Sequence, residues 1–206
     1  MKGKALSTQA RFGAANERGT SLIMVMIILT IISILGIAAI KISMMSERGA
    51  RNDRDQQIAW EAAEAALLDA EQDIFGPATS SRRSTFTPVT DAQAFVDGCG
   101  TSGNKRGLCA PVTSGRPVWL TANFDFSDSS SGAPSTAYGT FTGHTFAAGS
   151  IGIQPVQLPR YVIEPLRDPA DRDLGNPSPS FVYRVTAMGF GPRKDIQAVV
   201  QMIYRK

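Results

Sequence analysis

Hydrophobic positions along the chain fall into three textures. From Leu22 to Ile40 the residues are apolar all round and carry no charge, with only Thr30, Ser33 and Gly36 interrupting Ile, Leu, Met and Val. That length is close to the ~20 residues that cross a bilayer as a helix, and Ser or Thr inside such a helix can bond back to the preceding turn. A cleaved secretory signal has a shorter apolar core, of about 7–15 residues, and ends in a small-residue site. Ile40-Lys41-Ile42 offers no such site, so the run is expected to stay in the mature protein. Helical character then continues. Trp60, Ala63, Leu67, Ala70 and Ile74 recur by threes and fours and predict an amphipathic face, with Glu61, Glu64, Glu71 and Asp73 off it. Gly76-Pro77 ends the pattern. One helix over residues 20–75 would be roughly 80 Å long at 1.5 Å per residue. The alternative is two helices joined at Gly49 or at Arg51-Asn52, since glycine in a helix interior costs about 1 kcal/mol.

Residues 77–159 are rich in Ser, Thr, Gly and Pro and read as loops with irregular short strands, VWLTANFDF (Val118 to Phe126) and Gly149 to Ile153 among them. Regularity returns at the C-terminus. YVIEPL (Tyr161 to Leu166) predicts a strand stopped by Pro165, while FVYRVTAMGF (Phe181 to Phe190) and DIQAVVQMIYRK (Asp195 to Lys206) predict two more joined by a turn at GPRK. In the last strand Ile196, Ala198, Val200, Met202 and Tyr204 alternate onto one face and Gln197 and Gln201 onto the other. A three-stranded antiparallel sheet with one apolar face needs a cover, and the stripe from Trp60 to Ile74 supplies it. The expected class is α+β, with one long N-terminal helix, transmembrane and then amphipathic, packed on a small antiparallel sheet. The expected divisions are a leader (1–19), a long helix (20–75, membrane part 22–40) and an extracytoplasmic globular domain (76–206).

Charge adds little partner information. The formal net charge of +3 resides in the first nineteen residues, where Lys2, Lys4, Arg11 and Arg18 face only Glu17. The rest of the chain balances, with no basic cluster of the kind nucleic acid needs. Basic residues near the two ends of the apolar run tie, so they do not set its orientation. The cysteines bear on it. Cys99 and Cys109 sit in the short Gly-rich stretch GCGTSGNKRGLCA, either bridged or as two unrelated buried thiols. A bridge closing that loop is worth about 2–3 kcal/mol and needs an oxidising compartment, which would place the C-terminal domain outside the cytoplasm.

No nucleophile motif, phosphate loop, dinucleotide fingerprint or zinc spacing occurs, and no enzyme, cofactor or metal is expected. His144 has no fixed partner in the sequence and reads as a loop residue. Asp168, Asp171, Asp173 and Asn176 form an acidic loop whose spacing misses the calcium-hand pattern, and it reads as solvated.

Three stretches together resemble a known family. Arg18-Gly19-Thr20-Ser21-Leu22 resembles a prepilin cleavage junction, a short basic leader ending in Gly before a hydrophobic run. QQIAWEAAEAALLDAE (Gln56 to Glu71) resembles the helix of minor type IV pilins of the PilX group. FVYRVTAMGFG and AVVQMIYRK resemble that group's C-terminal strands, and GLC (Gly107 to Cys109) recurs there. The resemblance implies cutting after Gly19 by prepilin peptidase and methylation of the new amine of Thr20. It implies a single pass through the inner membrane, then extraction by the assembly platform into a cell-surface pilus. It also implies other minor pilins, the major pilin and a tip adhesin as partners. Two positions depart from the wider pilin pattern. Thr20 stands where the mature chain usually begins with Phe, and Met24 stands where Glu is usual. In the class that Glu is held to pair with a neighbouring subunit's terminal amine. Met24 then marks a subunit that starts the filament, or a loss that the group tolerates. Two other readings stay open: a minor pseudopilin of a type II secretion system, and a periplasmic binding domain on an uncleaved signal anchor.

Overall fold

The computed structural model describes residues 20–86, 94–125, 132–170 and 180–205. The leader, with Gly19, lies outside them, as do Phe126, Asp171, Asp173, Asn176 and Lys206. Helix α1 spans Thr20–Phe75, with Gly49 inside it. The chain divides into two compact units, Met1–Ala50 and Arg51–Lys206, so the last turns of α1 belong to the second.

In the first unit every described residue is exposed. The hydroxyls of the apolar run are satisfied locally: Thr30 Oγ1 donates to the Met26 and Ile27 carbonyls (2.9 and 2.8 Å), and Ser33 Oγ to Leu29 (2.7 Å). The run is long and apolar enough to cross a membrane, and each polar side chain within it has closed on its own backbone.

The second unit lays α1 on a four-stranded antiparallel sheet in the order β1 (Thr136–Ala137), β2 (Arg160–Arg167), β3 (Phe181–Phe190), β4 (Gln197–Arg205). The sheet has one strand more than the sequence pattern predicts, because a two-residue strand such as β1 has no period to read. β2 also continues through Pro165, which lies opposite Tyr183. β1 reaches β2 only at Arg160 and Tyr161, so the N–H that proline lacks would have had no partner strand on the outer side. Val118–Thr121 forms a single helical turn, α2, rather than a strand, started by the fixed φ of Pro117. Gly149–Ile153 is irregular, with Ile151 and Ile153 exposed.

The face of α1 on the sheet is Ala59, Ala62, Ala63, Ala66, Leu67, Ala70 and Ile74. Trp60 does not belong to it. Its side chain is half exposed, and its indole N–H donates to Glu64 Oε1 at 2.7 Å. The reason is the narrowness of the seam. A Cβ built on Gly189 of β3 would lie 2.1 Å from the Ala59 carbonyl oxygen and 2.3 Å from the Ala63 nitrogen. Helix backbone meets strand backbone there, and only alanines fit beside it. Trp60, one residue and about 100° round from Ala59, points away. Met202 departs similarly: Ala198 and Tyr204 are buried and Val200 half-buried, but Met202 is exposed because β4 is the rim of the sheet.

On the opposite face, Val162 and Phe190 pack with Val118, Phe124, Cys99 and Cys109. There Glu164 of β2 is directly paired with Arg184 of β3 (Oε2 to Nη2, 3.0 Å). Burial pushes the Glu164 carboxyl above the usual carboxylate range, and the guanidinium only partly offsets it. A raised folded-state value means that ionisation destabilises the fold. Stability therefore falls as pH rises from the unfolded value through the folded one. Glu164→Gln, which keeps an oxygen for Arg184, is expected to raise the thermal midpoint of the full chain in detergent at pH 7. The difference should close as pH falls to about 4. A variant less stable than wild type at pH 7 would show that the arginine outweighs burial.

Candidate functional site

The second unit is held by two carboxylates on the buried side of α1. Asp69 and Asp73 are in phase with Ala62 and Ala66 and are almost completely buried. Buried carboxylates persist only when their oxygens are hydrogen-bonded; both are, and Asp73 is ion-paired with Arg82 as well.

Asp73, in the last turn of α1, accepts from Arg82 Nε (3.0 and 2.9 Å), from Arg82 Nη2 and from the Arg82 amide (3.1 Å). The Tyr161 hydroxyl of β2 donates to Asp73 Oδ2 at 2.9 Å. Burial, and next the carboxylate, hold that phenol well above its usual pKa, so it remains a donor. Arg82 spends its remaining nitrogen, Nη1, on the carbonyls of Asn104 (3.0 Å) and Arg106 (2.6 Å), and its guanidinium lies over the Phe141 ring at 3.8 Å. One buried arginine thus ties the helix end to the loop between the cysteines. Asp69 gathers a different loop: it accepts from the Gly139 amide (2.9 Å) and the Thr142 hydroxyl, and sits 3.0 Å from His144 Nδ1. His144 is a half-exposed loop residue, as its sequence context implies, but with a buried partner that the sequence did not reveal.

Cys99 and Cys109 are joined in a disulfide. The stapled loop hooks onto the outer side of β2: the Cys109 amide donates to the Ile163 carbonyl (2.9 Å), and the Ile163 amide to Gly107 (2.8 Å). Asp168 accepts from Arg205 Nη2 at 2.9 Å and from the Ala170 amide at 2.9 Å, so its charge is already engaged. Among the described residues no three His, Cys, Asp or Glu side chains are grouped to hold a metal ion.

Of the residues singled out from sequence, Ala63, Leu67, Ala70 and Ile74 meet in the helix-on-sheet seam and the two cysteines meet each other, whereas Trp60 stays outside. Thr20 and Met24 lie on the exposed apolar part of α1, with Met24 68% exposed and no carboxylate on the run from Leu22 to Ile40. Asp73, expected off the apolar stripe, instead lies on the buried side of α1, and Asp69 carries no expectation from the sequence. Their signal was the spacing, since the small-residue face at 59, 62, 63 and 66 continues at 69, 70 and 73.

This arrangement ties loops to the helix in the second unit, and the apolar run of α1 in the first unit is exposed. Residues 18–68 match the PilX N-terminal family, and residues 105–206 match the family of the type IV pilus assembly protein PilX C-terminus. No curated protein and no solved structure matches the chain.

Proposed function

Because the chain belongs to the PilX family of type IV pilus assembly proteins, we propose that it is a minor pilin that starts or supports the filament at or near its tip. In this reading the apolar part of α1 holds the subunit in the inner membrane as a single pass. It then packs against the helices of other minor pilins and of the major pilin, and the second unit faces the tip adhesin on the cell surface. Prepilin peptidase and the inner-membrane assembly platform would handle it on the way. The family that residues 105–206 match is named for type IV pilus assembly, which favours this reading over a pseudopilin of type II secretion.

The observation that carries the tip assignment is Met24. A carboxylate inside a membrane is costly unless partnered, and this helix carries none from Leu22 to Ile40. A subunit that joins after others has an amine to engage. One that starts the filament has no earlier neighbour and does without the acid. Met24→Glu is expected to lower pilus number and to move the protein away from the tip, as counted by immunogold labelling of sheared pili. Unchanged number and position would remove the argument.

Processing is tested separately. Mass spectrometry of the protein isolated from membranes is expected to give an N-terminus at methylated Thr20, and Gly19→Leu to leave the leader attached. A wild-type chain beginning at Met1 would return the protein to the class of uncleaved signal-anchored domains.

A further inference from the structure

The two edges of the sheet are treated differently. The outer side of β2 is guarded three times over: by β1 at Arg160 and Tyr161, by Leu108 of the stapled loop at Ile163, and by Pro165. β4 closes the other side of the sheet as a regular nine-residue strand, Gln197–Arg205, with neither proline nor lysine in it. No strand pairs with its outer side among the described residues, and Val199, Met202 and Ile203 are exposed along it. Folded proteins ordinarily blunt such an edge, because its outward N–H and C=O groups are a template for another strand.

A groove runs beside this edge. Leu67 and Leu68 of α1 and Val200, Met202 and Tyr204 of β4 form its apolar walls, and Glu64 and Glu71 stand on its helix side. Tyr204 is fixed as part of the floor. Its hydroxyl donates to the Leu67 carbonyl at 3.1 Å, and burial, reinforced by Glu71, pushes its pKa up to about 12.

We propose that the free edge of β4 receives an extended strand from a partner protein, seated in this groove and alternating between Lys or Arg and apolar residues. The alternation follows from the two faces of the sheet. Side chains on the groove side would lay methylene stems over Leu68 and Met202 and carry their charge to Glu64 and Glu71. Side chains on the other side would meet Val199 and Ile203. A second copy of this chain fits poorly. Two β4 edges joined about a two-fold axis normal to the sheet put both helices on one face, glutamate rim against glutamate rim. The inference rests on the sheet edge and not on the assembly role proposed above.

The test uses the full chain in a non-ionic detergent and a fluorescein-labelled nine-residue peptide of alternating Lys and Val. Expected results are saturable binding by anisotropy and amide exchange in β4 slowed at least tenfold by the peptide. Three changes should then weaken binding tenfold or more: Glu in place of the peptide's Lys, N-methylation of alternate peptide amides, and the double variant Glu64→Lys, Glu71→Lys. Both glutamates are exposed, and an unchanged thermal midpoint would establish that this variant folds. Binding that leaves β4 exchange unaltered, or that is equal for the Glu peptide, would overturn the proposal. So would a dimer of the chain alone with β4 already protected, because the occupant would then be a second copy.

Discussion

Asp73→Ala is expected to cost about 3–5 kcal/mol of unfolding free energy, the scale of removing one partner of a buried ion pair. The loss is large because Arg82 stays behind. Its guanidinium is buried, and three of its contacts to Asp73 disappear at once. The Tyr161 hydroxyl loses its acceptor in the same step. Arg82 would still hold the Asn104 and Arg106 carbonyls, so the cysteine loop should remain attached while the end of α1 loosens. Urea unfolding of the full chain in detergent reads the cost, and near-UV circular dichroism reads the tyrosine. Asp73→Asn should be nearly as damaging, because an amide keeps the shape but not the charge. The double variant Asp73→Ala, Arg82→Met should be less damaged than the single one, since it leaves no buried charge unpaired. A cost under about 1 kcal/mol for Asp73→Ala is what an exposed pair gives and would mean that water reaches Arg82.

The same carboxylate shows where sequence reading stops. The long helix and the three longer strands were legible because each is a sustained apolar or periodic stretch closed by turn residues. α1 ends at Phe75, before Gly76-Pro77, and β3 occupies Phe181–Phe190, ahead of the turn at GPRK. Period alone does not say how close two elements come. Reading Trp60 as part of the stripe assumed a seam wide enough for an indole, whereas the alanines at 59, 62 and 63 meant a narrow one. Nor does polarity report burial by itself. Asp73 reads as lying off the apolar stripe, yet it is buried, and its partners lie nine residues on, at Arg82, and in β2, at Tyr161. β1 is two residues long and Pro165 lies inside a strand, and both follow from pairing across the sheet rather than from local pattern. The groove beside β4 required the sheet order, which no spacing contains.

Gly189→Ala is expected to destabilise the second unit by about 3 kcal/mol, at the upper end of what overpacking costs. A methyl at this position has nowhere to go. It would sit 2.1 Å from the Ala59 carbonyl oxygen, 2.3 Å from the Ala63 nitrogen and 3.0 Å from the Ala62 carbonyl carbon. All three atoms are main chain, so no side chain can swing aside; α1 itself must move off β3. That displacement would reach the seam at Ile196 and Ala198, which pack on Ala59 and Ala63. The backbone origin of the clash makes a sharper test than the size of the effect. If the contact were with alanine methyls, Gly189→Ala combined with Ala63→Gly would recover stability. With main-chain atoms as the obstacle, the double variant should be at least as unstable as the single one, since a helical glycine adds its own cost of about 1 kcal/mol. Gly49 provides the control in the same chain. A Cβ there meets nothing within 4 Å, so Gly49→Ala should leave the second unit's midpoint unchanged and raise helicity. Recovery in the Gly189→Ala, Ala63→Gly chain would mean that α1 rests on β3 through side chains, with room for the larger residues that the alanine seam otherwise forbids.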